Sequence, residues 1–257
     1  MIRASIARLG LSFSPVSTTG AVTPPVDLVR VYKGSIVKSS SGNFPKTDLL
    51  SLSGTTTALT EIDCEAVGGG ASGRYSLNDA SDGGTPGIVA TVSVAYADLP
   101  DTIEFTIGAG GPIVTGSVAS GGATSIIGIV SVPVSGTAAL SPKDRPSGPG
   151  QGATTWTNKV ASNNGGKSNA SYPDLVLDGG IGSGDVGTNP VNGKNAVTPF
   201  QHGSGGASCN VQSPSGNGGW PGGGGSKGYN LPGYSGRVGS GGAGAARFHV
   251  YALEPAA

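Results

Sequence analysis

From residue 216 onward a glycine falls at every third position: Gly216, Gly219, Gly222, Gly225 and Gly228. After Tyr229-Asn230-Leu231-Pro232 a second run repeats the spacing at Gly233, Gly236, Gly239 and Gly242. A helix with three residues per turn shows one face to a neighbour at every third residue, which is the polyproline-II conformation, rising about 3.1 Å per residue. Such a helix makes no internal hydrogen bonds, so its N–H and C=O groups must find water or neighbouring segments. A glycine-only face lets backbones approach with no Cβ between them. The phasing predicts a lattice of several short glycine-rich helices, with 229–232 as the turn between the two runs. A collagen-like triple helix is disfavoured, because the runs are short and proline is scarce at the other two positions.

The rest of the chain decides what the lattice is attached to. Apolar residues make up 36% of the sequence and charged residues 12%. Chains that stay unfolded show the opposite balance. No window sustains apolar residues at i, i+3, i+4 and i+7, so little or no helix is expected. Strand patterns recur instead: 26–32, 58–67 with Ile62, Cys64 and Ala66 on one face, 88–97, 102–107 with Ile103, Phe105 and Ile107 on one face, 125–134, and a closing strand in which Phe248, Val250 and Ala252 alternate with Arg247, His249 and Tyr251. The expected fold is all-β, a strand-rich sandwich with polyglycine-II-like segments. Residues 1–46, punctuated by proline, read as an N-terminal arm for docking to a larger particle. Residues 47–257 read as one glycine-rich β domain carrying long polar loops at 143–202.

Charge and motifs narrow the function classes. Lys plus Arg equals Asp plus Glu at 15 each, which argues against a nucleic-acid partner, since phosphate neutralisation needs a basic patch. No apolar run is long enough for a membrane-spanning helix, and the first 15 residues lack the apolar core and small-residue cleavage site of a secretory signal. Cys64 and Cys209 form no metal-ligand cluster with His202 and His249; a disulfide between them and two free thiols both remain open. Gly68-Gly69-Gly70-Ala71-Ser72-Gly73 matches G-x-G-x-x-G after a strand, but turn-forming text follows where a dinucleotide site needs a helix. The segment reads as a strand-end turn. Gly166-Lys167-Ser168 fails as a phosphate loop, because Ala161 stands where the first glycine is needed. His249, alternating with core residues, is expected at a solvent-facing or rim position and not as a base. Neither Asp79 with Asp82 nor Asp174 with Asp178 has the spacing of a calcium loop. The chain is therefore expected to be neither an enzyme nor a holder of a cofactor or metal.

Of 14 aromatics, Trp156, Tyr172, Trp220, Tyr229 and Tyr234 lie in loop or glycine-rich text. Exposed rings suit sugar or protein contact, since a flat apolar face carries a polar tip. The plainer reading is that Trp220 and Tyr234 close the open edges of the lattice. Trp156, Tyr172 and Tyr229 are the candidates for receptor contact.

The order of these motifs carries a likeness. A strand runs into Gly68-Gly69-Gly70; an alternating strand runs into Gly108-Ala109-Gly110-Gly111; Gly121-Gly122-Ala123-Thr124 precedes an apolar run; and Gly241-Gly242-Ala243-Gly244 leads into a final strand. Over residues 49–253 this resembles the glycine-rich domains of phage minor tail proteins and tail-fibre adhesins. The resemblance implies a virion tail component at the tip or on a fibre, assembled in the host cytoplasm. It implies other virion tail proteins and a host-surface glycan or protein as partners, with the chain present as a homo-oligomer or in several copies. A purely structural minor tail or decoration protein is the alternative. A surface protein presenting an ordered polar lattice, such as an ice-binding protein, is a more distant one.

Overall fold

The computed structural model describes residues 27–73, 83–114, 117–134, 177–178, 191–207, 215–226 and 238–256. Two antiparallel four-stranded sheets face each other. The first holds β1 (Leu28–Lys38), β8 (Ala245–Pro255), β3 (Thr60–Val67) and β4 (Val89–Ala95), in that spatial order. The second holds β2 (Gly42–Pro45), β5 (Thr102–Thr106), β6 (Thr124–Ile126) and β7 (Val130–Val132). Helix among the described residues is limited to α1 (Thr47–Ser53) and short 3-10 turns at Thr57–Leu59 and Tyr96–Asp98. The fold is all-β, as the missing helical periodicity predicts.

The core lies where the alternation directs side chains inward. Ile62, Cys64 and Ala66 of β3 and Phe248 and Val250 of β8 are fully buried and meet Ile103, Phe105, Ile126 and Val132 of the second sheet. Phe44, Phe105 and Phe248 pack edge to face or tilted, with centroids 5.0 to 6.2 Å apart, the arrangement that ring quadrupoles favour. Each fully buried side chain of this size contributes about 1.5–3 kcal/mol relative to exposure. Cys64 sits in this core as a free thiol; burial, assisted by Asp63, pushes its pKa up to about 12, so it packs as a small hydrophobe. Cys209 lies outside the described residues.

Residues 28–45 do not stand apart as an arm. β1 pairs with β8 from Leu28↔Pro255 to Lys38↔Ala246, and β2 pairs with β5. Pro45 ends β2, where an edge strand tolerates a missing N–H, and does not mark a domain boundary. Residues 1–26 of the expected docking arm, 1–46, lie outside the described residues.

At one end of the sandwich the strands turn into glycine-rich segments. Residues 68–73 continue β3, 83–88 lead into β4, 107–111 continue β5, 119–123 lead into β6 and 238–244 lead into β8. Antiparallel order brings all five out at the same end, where they assemble into one body.

Candidate functional site

Residues 68–73 form the axis of that body. Gly68 and Ala71 donate their N–H groups to the carbonyls of Ile88 and Thr85, at 2.8 and 2.9 Å. Gly69 and Ser72 donate to Gly122 and Ala119, at 3.0 and 2.9 Å. Gly70 and Gly73 donate to Gly242 and Gly239, at 2.9 and 3.0 Å. Three consecutive residues thus bond to three different segments, and each segment is met again three residues later. This is a three-residue turn surrounded by neighbours, the polyglycine-II arrangement that the phasing predicts. It also corrects the reading of Gly68–Gly73 as a strand-end turn. Every N–H of the segment is committed to a carbonyl, so none is left to cradle a phosphate.

The lattice extends through the phased glycines. Gly216 and Gly219 donate to Ala207 and Ser204, and Gly239 and Gly242 donate to Ser226 and Gly223, at 2.7–2.8 Å. A Cβ on Gly216 would lie 2.5 Å from the Val191 carbonyl oxygen, and one on Gly219 would lie 2.1 Å from that of Lys194. For Gly225 the oxygen of Gly239 would be 2.1 Å away, and for Gly242 that of Gly219 would be 2.3 Å away. All are closer than real Cβ contacts permit. Gly222 differs. It has φ +74° and ends a reversal at 220–222, after which Gly223 and Ser226 donate back to Gly219 and Gly216, at 2.9 and 3.0 Å. The first run is therefore two antiparallel segments and not one helix, because Trp220-Pro221-Gly222 supplies a turn without breaking the glycine phase. Gly228, Gly233, Gly236 and the expected turn at 229–232 lie outside the described residues.

Part of the expected 143–202 loop belongs to this body as well. Gly193 and Ala196 donate to Asn217 and Trp220, at 2.8 and 2.7 Å. The side-chain oxygens of Asn192 and Asn195 accept from the N–H groups of Asn217 and Trp220, at 2.9 and 2.7 Å, and Asn217 accepts in turn from Ser240 at 2.9 Å. Asparagines three residues apart lace the exposed side of the lattice. The Trp220 indole N–H donates to the Gly244 carbonyl at 3.0 Å, so this ring closes a lattice edge. Trp156, Tyr172, Tyr229 and Tyr234 lie outside the described residues.

A polar clasp fastens the lattice to the first sheet. Arg247, on the outer face of β8, is fully buried and donates from Nη1 to Glu65 Oε1 of β3 at 3.1 Å. Its Nη2 donates to the Gln201 carbonyl, and His202 Nε2 lies 3.4 Å from Glu65 Oε1. Phe200 stacks on His249 with centroids 4.5 Å apart and meets Tyr32 edge-on at 5.1 Å. Burial alone would raise the Glu65 carboxyl, but His202, Arg247 and His249 around it hold it down at about 2. Burial pushes the imidazoles of His202 and His249 below their ordinary value, with Glu65 pulling the other way. The ion pair of the clasp is Glu65 with Arg247, and His202 Nε2 faces the same carboxylate oxygen.

His249 is thus not at a rim; only 3% of it is exposed. The alternation puts it on the outer face as expected, but residues 200–202 lie over that face. Its Nδ1 shares a hydrogen bond with Ser35 Oγ at 2.7 Å, and among the described residues no carboxylate bonds the other ring nitrogen to orient it as a base. Also among the described residues, no three His, Cys, Asp or Glu side chains are grouped to hold a metal ion, and no helix is long and apolar enough to cross a membrane. Asp79, Asp82, Asp174 and the 166–168 segment lie outside the described residues.

Comparison with known families matches residues 51–252 to the model of a glycine-rich domain. No curated protein matches the chain. The matched span runs from within α1 to within β8 and takes in the whole described lattice.

Proposed function

The chain belongs to this glycine-rich domain family, and from that premise we propose that it is a bacteriophage tail protein, at the tail tip or on a fibre, that contributes to host-surface attachment and is not an enzyme. The observation that carries this reading is the axis at 68–73, where each successive N–H is bonded to a different segment. Such cross-linking makes a rigid body from short pieces with few large side chains, and a rigid scaffold that carries polar loops is a common way to present a binding surface. The motif order of the phage tail domains, described above, supplies the context. Trp156, Tyr172 and Tyr229 are the proposed contacts with a host glycan or protein, and residues 1–26 the proposed anchor to other tail proteins. Several copies per virion give avidity from weak single contacts.

A whole-virion reconstruction tests the location. Adsorption of phage carrying Trp156→Ala, Tyr172→Ala and Tyr229→Ala together tests the role. We expect severe slowing with intact particles, against modest slowing for Trp156→Ala alone. Adsorption at the wild-type rate would favour the second reading, a structural minor tail or decoration protein. One observation leans that way: Trp220, an aromatic of the glycine tract, is tied into the lattice at Gly244. Copy number separates the two, few for a tip protein and many for a decoration protein.

A further inference from the structure

The first sheet has two outer edges, and they differ in kind. β1 carries Arg30, Lys33 and Lys38 and is broken by a register shift between Tyr32 and Gly34. Charges and a bulge are the usual means of blunting an edge against further pairing. β4, at the opposite edge, has none of them. Its sequence is Val89-Ala90-Thr91-Val92-Ser93-Val94-Ala95, with no charge, no proline and no glycine. It pairs with β3 in an unbroken register from Glu61↔Ala95 to Val67↔Val89. Among the described residues no strand pairs with its other side. Thr91, Val92 and Ser93 are exposed, Val92 by 40%.

The hydrogen-bonding direction along β4 follows from one bond. Gly68 N–H donates to Ile88 O at 2.8 Å, which fixes the alternation of the ladder. Ala90, Val92 and Val94 turn their N–H and C=O groups toward β3. Val89, Thr91, Ser93 and Ala95 turn theirs outward.

We propose that β4 is the interface of a two-fold dimer, pairing antiparallel with β4 of a second copy about an axis through Val92. The strand is close to palindromic about that residue. The two-fold sets Thr91 opposite Ser93, Ala90 opposite Val94, Val89 opposite Ala95, and Val92 opposite itself. Thr91 therefore meets Ser93 on the outer face, where the Ser93 hydroxyl donates to Asp63 and can accept from Thr91, and small apolar side chains meet on the inner face, both favourable cross-strand pairings. The outward-facing residues Val89, Thr91, Ser93 and Ala95 fall in hydrogen-bonded positions, and Val92 falls in a non-hydrogen-bonded one. Charge points to the same partner. A second copy of β4 brings no charge to the seam, whereas two copies of β1 would oppose three cations with three cations. The acidic groups opposite β4 on β3 are Glu61, Asp63 and Glu65; Glu61 and Asp63 are already paired with Arg30, and Glu65 with Arg247. The two sheets would join into one of eight strands with β1 at both ends. Such a dimer is independent of the attachment role proposed above.

Sedimentation of the full chain and cross-linking at the axis test this. The wild-type chain is expected to sediment as a dimer. Val92→Lys places two ammonium groups against each other at the axis, and the mass should halve while the circular dichroism spectrum is unchanged. Val92→Cys is a near-isosteric change, and its self-opposed position has Cα atoms about 4.5 Å apart, within disulfide range. Under mild copper-phenanthroline oxidation, in a Cys209→Ser background whose remaining thiol, Cys64, is buried, it should give a cross-linked dimer that the background alone does not give. Val89→Cys should not cross-link to itself. A monomeric wild type would overturn the proposal. So would an oligomer that Val92→Lys leaves intact and Val92→Cys does not cross-link.

Discussion

Gly239 and Gly216, one from each phased run, lie so close that a Cβ on Gly239 would be 1.9 Å from the Gly216 carbonyl oxygen. The sequence spacing and the packing are linked at this point: glycine recurs where one backbone rests on another. The obstacle is backbone held by its own hydrogen bonds, and not the end of a side chain that could move aside.

Gly239→Ala is therefore expected to cost at least about 3 kcal/mol, the upper range for overpacking. Gly42→Ala serves as the control. A Cβ there meets only the Phe105 ring, at 3.8 Å, and thermal unfolding of this variant should be close to wild type. Equal losses for both would remove the packing argument.

Gly222 is restricted by its φ of +74°. Gly222→Ala should cost about 1–2 kcal/mol, the penalty of a left-handed residue with a Cβ, and Gly222→Asn should cost less, since asparagine tolerates that region. Denaturant melts of the two variants check this order.

The clasp gives a test by charge. Arg247→Met leaves the Glu65 carboxylate buried beside His202 and should destabilise by about 3–5 kcal/mol, the usual cost of removing one partner of a buried pair. Adding Glu65→Gln should return part of that loss. A double-mutant cycle measures the coupling, and strictly additive losses would mean that the two side chains do not act as a pair.

The same groups set an acid limit. His202 and His249 are depressed in the folded state, so the unfolded chain takes up their protons first. Their contribution is intact above the unfolded imidazole pKa of about 6.5 and falls as pH drops below it. Glu65, held at about 2, contributes fully above the unfolded carboxylate pKa and loses its contribution as pH falls from there toward 2. Melting temperature should be flat between about pH 7 and pH 8, decline in two stages below that, and decline again above it as the unfolded Cys64 thiol ionises while the folded one, at about 12, does not. His202→Gln should lessen the upper stage, leaving the part due to His249, and spare the lower.

Much of the fold is legible in the sequence because strand alternation and threefold glycine spacing are both periodic signals. Ile62-Cys64-Ala66 and Phe248-Val250-Ala252 face the core as their alternation requires. The three-neighbour axis was harder to see. Residues 68–73 mix Gly, Ala and Ser, and short glycine strings also mark turns. Trp220-Pro221-Gly222 was hidden for the opposite reason, since the turn preserves the glycine phase. The burial of His249 and Arg247 depends on residues 200–202 folding over β8 from some 45 positions away in sequence, and no local pattern on β8 carries that information. Glu65, Arg247 and His202 could have been suspected only as charged or polar groups on strands or tracts otherwise able to be buried.

The most direct test of the lattice is to detect its hydrogen bonds one by one, by scalar couplings across them in a long-range HNCO spectrum. The account predicts that the consecutive amides of Gly69, Gly70 and Ala71 couple to the carbonyls of Gly122, Gly242 and Thr85 respectively, three acceptors on three segments. Couplings from those amides to alternate carbonyls of a single partner strand, as in a β-ladder, would contradict it.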